Sequence, residues 1–262
     1  MVFSDPAHSA NPLEAAVLGV ETSGARCGVA LITGTQIFSH SVALSRGHSR
    51  QLFESLDRVL SESGLALSQL AAIGFGSGPG AFVGLRMACA FAQGLGFALG
   101  RPLVPVSTPQ ALAVQALVGC PAQADAVWVA LDLRMGEVAV AAFDRISLTQ
   151  AWPRPRWGPL LCHPDQALLQ FNDDPARQPI LAGDGWQAHP RLLEGRARPE
   201  CLAASALQPD AVAVARLAQQ GLRTGQALAP EDAAPSYLRD KVALDAVEQA
   251  AARRQRLAQG GA

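Results

Sequence analysis

The chain contains a single lysine, Lys241. That scarcity argues against phosphate sites built on a lysine, and no GxxxxGK[ST] loop is present. The cysteines are few and scattered, at Cys27, Cys89, Cys120, Cys162 and Cys201, with no CxxC pair. Structural zinc is therefore not expected, nor is a disulfide framework at this length. A reducing, cytoplasmic setting is the expectation. Net charge of either sign is also lacking. The formal value is -1, which gives no electrostatic reason for a nucleic-acid or membrane surface. Long apolar runs are missing too: Met87 to Leu99 is interrupted by Gln93, Gly94 and Gly96 and reads as too short to span a bilayer. The opening MVFSDPAHSANPLEAA has no basic n-region or apolar h-region, so residues 1–16 read as a disordered extension rather than a signal peptide.

What is abundant is core material, since 49% of residues are hydrophobic. Length allows one large domain or two small ones. VLGVE (17–21), CGVALI (27–32) and IFSHSVAL (37–44) read as a three-strand meander, separated by the turns TSGAR and TGTQ. In RQLFESLDRVLSESG, Leu52, Leu56, Val59 and Leu60 share one helical face, and Gly64 closes the helix. LAAIGFG (70–76) predicts a buried strand, a helix follows from about Gly84 to Leu99, RPLVPVS predicts another strand, and TPQALAVQAL a helix with Pro109 in its first turn.

The second half repeats this order in abridged form. AVWVALDLR (126–134) and EVAVAAFD (137–144) read as strands, RISLTQA as a third, HPDQALLQF as a short helix, PILAGDGW as a strand ending on a glycine-flanked acid, and PDAVAVARLAQQGL as a helix. A duplicated β-β-β-α-β-α unit predicts two related α/β lobes, each a mixed sheet with helices. The expected lobes are residues 17–118 and 126–243, followed by a helical tail at 244–262.

Between the fourth strand and its helix lies GFGSGPGAFVGLR, Gly74 to Arg86. A glycine loop there has phosphate-cradle geometry. It is neither a dinucleotide GxGxxG unit nor a lysine-bearing loop, and Arg86 is its one cation. Gly78, Pro79, Gly80 and Gly84 read mainly as a tight turn that launches the helix at a fixed angle.

The duplicated arrangement resembles the actin-like ATPase superfamily (ribonuclease H-like fold), in which nucleotide sits between two lobes and acids hold Mg²⁺. The matching positions are Glu21, Thr22, Ser23, Gly78, Pro79 and Gly80 in the first lobe and Asp132, Gly183, Asp184 and Gly185 in the second. Glu21 stands where the superfamily usually has aspartate. At the residue level, VETSGARCGVAL, RGHSRQLFESLDRVLSESGL, IGFGSGPGAFVGLRMACAFAQGLGFALGRPLVPVS, ALDLRMGEVAVAAF, LAGDGW and PSYLRDKVA resemble, in order, the TsaB (YeaZ) family of bacterial tRNA threonylcarbamoyladenosine biosynthesis proteins, a branch of the TsaD/glycoprotease-like group.

The resemblance implies a non-catalytic subunit with no metal or cofactor of its own, ATP/ADP and Mg belonging to partner subunits. It implies pairing with the transferase TsaD and with itself, docking of the ATPase TsaE, tRNA contact only through the assembly, and a donor made by TsaC. TsaD-like enzymes hold metal with an HxxxH pair; here those places fall on Thr108 and Leu112, and leucine cannot ligate a metal. The expected partner face lies on two helices: Leu52, Phe53 and Leu56 on the first, Arg86, Met87, Ala88, Phe91, Ala92, Leu95 and Gly96 on the second. Ala88, Ala92 and Gly96 recur every four residues, a stripe that lets another helix approach closely. Weak nucleotide binding in a degenerate cleft is the lesser reading. The rival classes are a small-molecule kinase or ATPase of the actin-like superfamily, a metallopeptidase-like protein, and a homodimeric chaperone-like binder outside tRNA modification. His48 is weighed as structural, and His8, His40, His163 and His189 have no partner at metal spacing.

Overall fold

A computed structural model describes residues 15–43, 48–118, 124–150, 152–171, 179–194 and 207–239. Most of the expected extension, the expected tail, Lys241, Cys120, Cys201 and the His48 side chain lie outside the described residues.

The first lobe is built on the expected meander. β1 (Ala16–Glu21), β2 (Arg26–Thr33) and β3 (Gln36–Ala43) run antiparallel. β4 (Leu70–Gly78) and β5 (Leu103–Ser107) add parallel to β1, giving the order β3-β2-β1-β4-β5. β1 and β2 are buried on both faces because helices cover each side. One face meets α1 (His48–Ser63) and α2 (Phe82–Leu99) over Leu18, Val20, Leu31, Ile73 and Phe75. β3 is the edge, and its exposure alternates.

In the second lobe, β6 (Ala126–Asp132) and β7 (Val138–Asp144) pair antiparallel, β8 (Trp157–Cys162) extends β7, and β9 (Pro179–Ala182) runs parallel to β6. The order is β8-β7-β6-β9. α3 (Thr108–Leu117) covers one face through Leu112, Ala113 and Ala116 against Val127, Val129 and Leu131. The opposite face carries Trp128, Ala130, Val140 and Leu181 under an aromatic cluster, in which Phe171 of α5 (Pro164–Phe171) touches Trp128, Trp157 and Trp186. Two lobes, each a mixed sheet with helices, are present as expected.

Two expectations are corrected. RISLTQA is not a strand: Arg145–Leu148 forms a single helical turn, α4, in which Leu148 is buried and Ile146 exposed. The Arg145 N–H donates to Asp125 O and its guanidinium to Ala124 O, which turns the chain sharply out of β7. The third strand is WGPLLC, whose Gly158 and Pro159 hide it from a strand pattern; as a sheet edge it tolerates the proline.

The second correction concerns the helix at Ala211–Arg223, which follows α6 (Gly185–Ala188) among the described helices and is here α7. The sequence pattern places it in the second lobe with the rest of 126–243. It packs instead across β1, β2 and β4, through Ala211, Val214, Ala215, Leu217 and Ala218. This amphipathic helix supplies the second apolar cover that the first sheet needs. Asp210 caps it by accepting from the Ala213 N–H at 2.7 Å. The segment after it also returns: Leu228 exchanges two backbone hydrogen bonds with Leu103, of 2.8 and 2.9 Å.

Candidate functional site

The cleft between the lobes has a volume of about 430 Å³. Its first-lobe wall includes Ser23, Gly24, Pro79, Gly80, Phe82 and Thr108; its second-lobe wall includes Leu131, Asp132, Arg134 and Asp184; residues 236–239 also line it. Of the residues expected at a nucleotide cleft, Ser23, Pro79, Gly80, Asp132 and Asp184 line it, whereas Glu21, Thr22, Gly78, Gly183 and Gly185 are not in its wall.

The chemistry of that cleft is not the one expected of a phosphate site. Glycines of the loop are occupied by the chain's own backbone and carboxylate. A Cβ on Gly84 would collide with Thr22 O, while the Thr22 hydroxyl donates to Gly84 O at 2.6 Å. A Cβ on Gly76 would collide with the Glu21 carboxylate. The Ala81 N–H, at the start of α2, is taken by Ser23 O at 2.9 Å. The loop thus clamps the Glu21–Ser23 turn against α2. The Gly78–Pro79 peptide is cis.

Glu21 is buried and is not part of the cleft wall. Its Oε1 accepts the Ser23 N–H at 2.5 Å, and its Oε2 has no hydrogen-bond partner. Burial pushes its carboxyl above the ordinary value of 4.5, hydrogen bonds from Ser23 and Thr22 pull partly the other way, and Asp210 adds to the rise. The extra methylene relative to aspartate lets the carboxyl fold back onto its own turn. Glu21 is therefore not placed to reach a cation in the cleft. Across the cleft, Asp184 Oδ1 accepts the Asp132 N–H at 3.0 Å, and Asp132 Oδ1 accepts the Arg134 N–H at 3.0 Å with His189 Nε2 at 3.4 Å. Among the described residues no group of three or more His, Cys, Asp or Glu could hold a metal. Thr108 is buried with its hydroxyl 3.3 Å from Ser23 Oγ, and Leu112 lies in the core beneath the second sheet. Burial, and secondarily Glu21, push the Cys27 thiol up to about 11, where it is inert as a nucleophile at neutral pH.

The expected partner helices divide by exposure. Leu52 and Leu56 of α1, and Ala88, Ala92 and Gly96 of α2, are buried inside the first lobe. This corrects the small-residue stripe as a partner face: it lets α2 lie close on the chain's own sheet, and Gly96 packs on Leu103 and Pro230. α2 is apolar nearly all round, so its period could not show which side turns inward. What remains accessible is Phe53, 56% exposed, set edge-on to Phe91 at 5.0 Å, with half-buried Met87 and Leu95. Val83 (67%) and Phe97 (60%), which the helical periodicity did not single out, extend that apolar surface. Arg86 is tied to two cleft-lining rings rather than to the ridge. Its guanidinium lies 3.9 Å over the Phe82 ring, and its Nε donates to the Tyr237 hydroxyl at 2.9 Å. α2, at 18 residues, is the one described helix long and apolar enough to cross a membrane, slightly longer than the run read from sequence.

The chain and its fold match known proteins. The "TsaD: tRNA N6-adenosine threonylcarbamoyltransferase" family profile matches residues 41–247. The tRNA threonylcarbamoyladenosine biosynthesis protein TsaB of Haemophilus influenzae is 30% identical over 231 residues, covering 86% of this chain and 94% of that protein. The chain belongs to the TsaB (YeaZ) family. The Escherichia coli TsaB is likewise 30% identical, over 87% of this chain and 96% of that one. The solved structure of YeaZ from Pseudomonas aeruginosa superposes with a TM-score of 0.73 at 33% identity, covering 86% of this chain and all of that one. The family is thus one of tRNA threonylcarbamoyladenosine biosynthesis; the two relatives aligned over most of this chain carry the name of a biosynthesis protein, and the family profile carries that of the transferase.

Proposed function

We propose that this chain is a non-catalytic, cytoplasmic scaffold subunit that pairs with the transferase TsaD, and with the ATPase TsaE, in modifying adenosine 37 of ANN-decoding tRNAs. The observation that carries the reading is family membership joined to the apolar surface of Phe53, Val83, Met87, Phe91, Leu95 and Phe97 on α1 and α2. An accessible apolar surface rimmed by charged side chains such as Arg50, Glu54 and Arg58 suits a protein partner. The same face serves a second copy of the chain, so self-association and TsaD binding compete. The buried Glu21 and the internally bonded Asp132 and Asp184 support a subunit without cofactor or metal chemistry of its own. Contact with tRNA is made by the assembly.

Reconstitution tests this. Threonylcarbamoyl transfer to tRNA by TsaD and TsaE from the same cell is expected to require the chain, and the chain alone to transfer nothing. Full activity without it would overturn the scaffold role. Phe53→Ser is expected to abolish TsaD capture while leaving the fold intact; undiminished capture would move the partner face elsewhere.

A further inference from the structure

Residues 228–239 run from the first lobe across the cleft lining to the second. Their first-lobe end is fixed by many bonds. Besides the Leu228–Leu103 pair, Gln93 Nε2 donates to Pro230 O at 2.9 Å and Ala233 O at 3.1 Å, and the Ser236 N–H donates to Ser77 O at 2.7 Å. Tyr237 packs its ring 5.4 Å from that of Phe82 and receives the Arg86 bond. The second-lobe end is held by side chains: half-buried Leu238 against the core under the second sheet, and Arg239, whose Nη2 pairs with Glu137 Oε2 and whose Nη1 lies 3.4 Å from Met135 Sδ. Arg239 and Glu137 are 25% and 38% exposed, so their pairing is within reach of salt.

We propose that residues 228–239 form a latch, clamped permanently to the first lobe and caught releasably on the second by the Arg239–Glu137 pair, so that the cleft opens at this catch. The asymmetry decides where the break falls. Several hydrogen bonds with buried or half-buried partners must fail together to free the first end, whereas one screened ion pair and one half-buried leucine hold the other. The turn that carries the catch is stiff: Arg134, Met135 and Gly136 all have positive φ, and Leu133 and Glu137 close it with a 3.1 Å backbone bond. The latch stands independently of the partner reading, since none of its contacts involves the Phe53–Phe97 surface.

Trypsin tests the proposal on the full chain, because it must draw the Arg239 side chain into its own acidic pocket to cut the 239–240 bond. When opening is fast relative to cleavage, the cutting rate tracks the open population. Glu137→Gln is expected to speed production of the 1–239 fragment about two- to fivefold, the range that an ion pair of this exposure contributes. Salt at about 0.5 M should do the same to the wild type. Hydrogen exchange at the Asp132 amide, in the second-lobe wall, should rise in step, while the Ser236 amide stays at its wild-type rate. An unchanged cutting rate in Glu137→Gln overturns the catch. Faster cutting without faster Asp132 exchange means that the segment frays without opening the cleft, and faster Ser236 exchange means that it leaves as a whole; either overturns the latch. The like-charged pair Glu137→Arg with Arg239→Lys lacks a catch and is expected to behave like Glu137→Gln at Asp132; a wild-type exchange rate there counts against the proposal.

Discussion

The two lobes start from the same plan and finish it differently after the fourth strand. In the first, β4 runs into α2, 18 residues long, which lies close on the sheet through Ala88, Ala92 and Gly96. In the second, β9 runs into α6, 4 residues long, and the covering is done by single large side chains. Trp186 is fully buried, donates its indole N–H to Ala182 O at 3.0 Å, and packs tilted against Phe171 with ring centroids 4.9 Å apart. A long helix with small residues spreads its contacts and leaves an outer face free for a partner. A short turn with one tryptophan concentrates its contacts and leaves no comparable helical face.

The largest predicted effects break each cover in its own way. Ala92→Arg places an unpaired charge against β4 and is expected to cost about 4 kcal/mol or more. Trp186→Ala empties the aromatic cluster of the second lobe and should cost about 4 kcal/mol. Urea denaturation followed by circular dichroism measures both. An Ala92→Arg loss below about 1 kcal/mol would mean that α2 stands off the sheet, and would return the small-residue stripe to partner binding.

Next come two glycines, one in each lobe, that abut backbone: that of the Glu21–Ser23 turn in the first and that of β6 in the second. Gly84 meets Thr22 O, and Gly185 meets the Ala130 carbonyl group and Leu131 N. Both neighbours are backbone, which cannot rotate away. Gly84→Ala gains about 1 kcal/mol of helix propensity, yet the Thr22 hydrogen bond holds α2 against the obstacle. We expect each alanine variant to lose about 2 kcal/mol net of that gain. A stabilised Gly84→Ala protein would show that the clamp is loose.

Much of this was legible in the residues, and the exceptions are physical. The order β-β-β-α-β-α, the helix after the glycine loop and the pairing of turns around Glu21 and Asp132 follow from period-2 and period-3.6 patterns bounded by glycine. Three features did not. α2 is apolar on nearly every side, so Ala92 and Phe97 look alike in sequence but face opposite ways. β8 is an edge strand whose Gly158 and Pro159 resemble a turn. α7 and the 228–239 latch return across the chain to the first lobe, and local periodicity carries no information about such long-range partners.

The acids at the two turns sharpen the comparison further. Glu21 is buried with its carboxyl pKa raised, chiefly by burial. The native state therefore binds that proton more tightly than the unfolded chain does. Stability from this group is fully present below the ordinary value of 4.5 and is lost as pH rises from there through the raised folded value. Glu21→Gln keeps the oxygen that accepts the Ser23 N–H but carries no titrating proton. Its stability should fall less than that of the wild type over that window, and at neutral pH it should be the more stable of the two. Thermal melts across pH measure the difference. Parallel curves for the two proteins would show that Glu21 is hydrated in solution and opens onto the cleft.

Asp132, at the matching turn, is predicted to matter least to stability. Its Oδ1 accepts the Arg134 N–H, and asparagine can keep that bond. What Asp132→Asn removes is the charge facing His189 at 3.4 Å and the Arg134 guanidinium at 3.4 Å, the latter on a side chain 86% exposed. The Arg134 pair is open to water and contributes less than about 1 kcal/mol; the His189 pair is less exposed, at 20% and 14%, but adds charge only when the imidazole is protonated, and a urea midpoint resolves such a change. A loss above about 2 kcal/mol would place Asp132 among the clamped groups with Glu21, and the two turns would then differ in exposure but not in role. A loss within the expected range leaves the lobes with opposite uses of one position: in the first the acid is swallowed to build the turn that α2 rests on, and in the second it stays at the cleft wall, where charge can change without disturbing the sheet behind it.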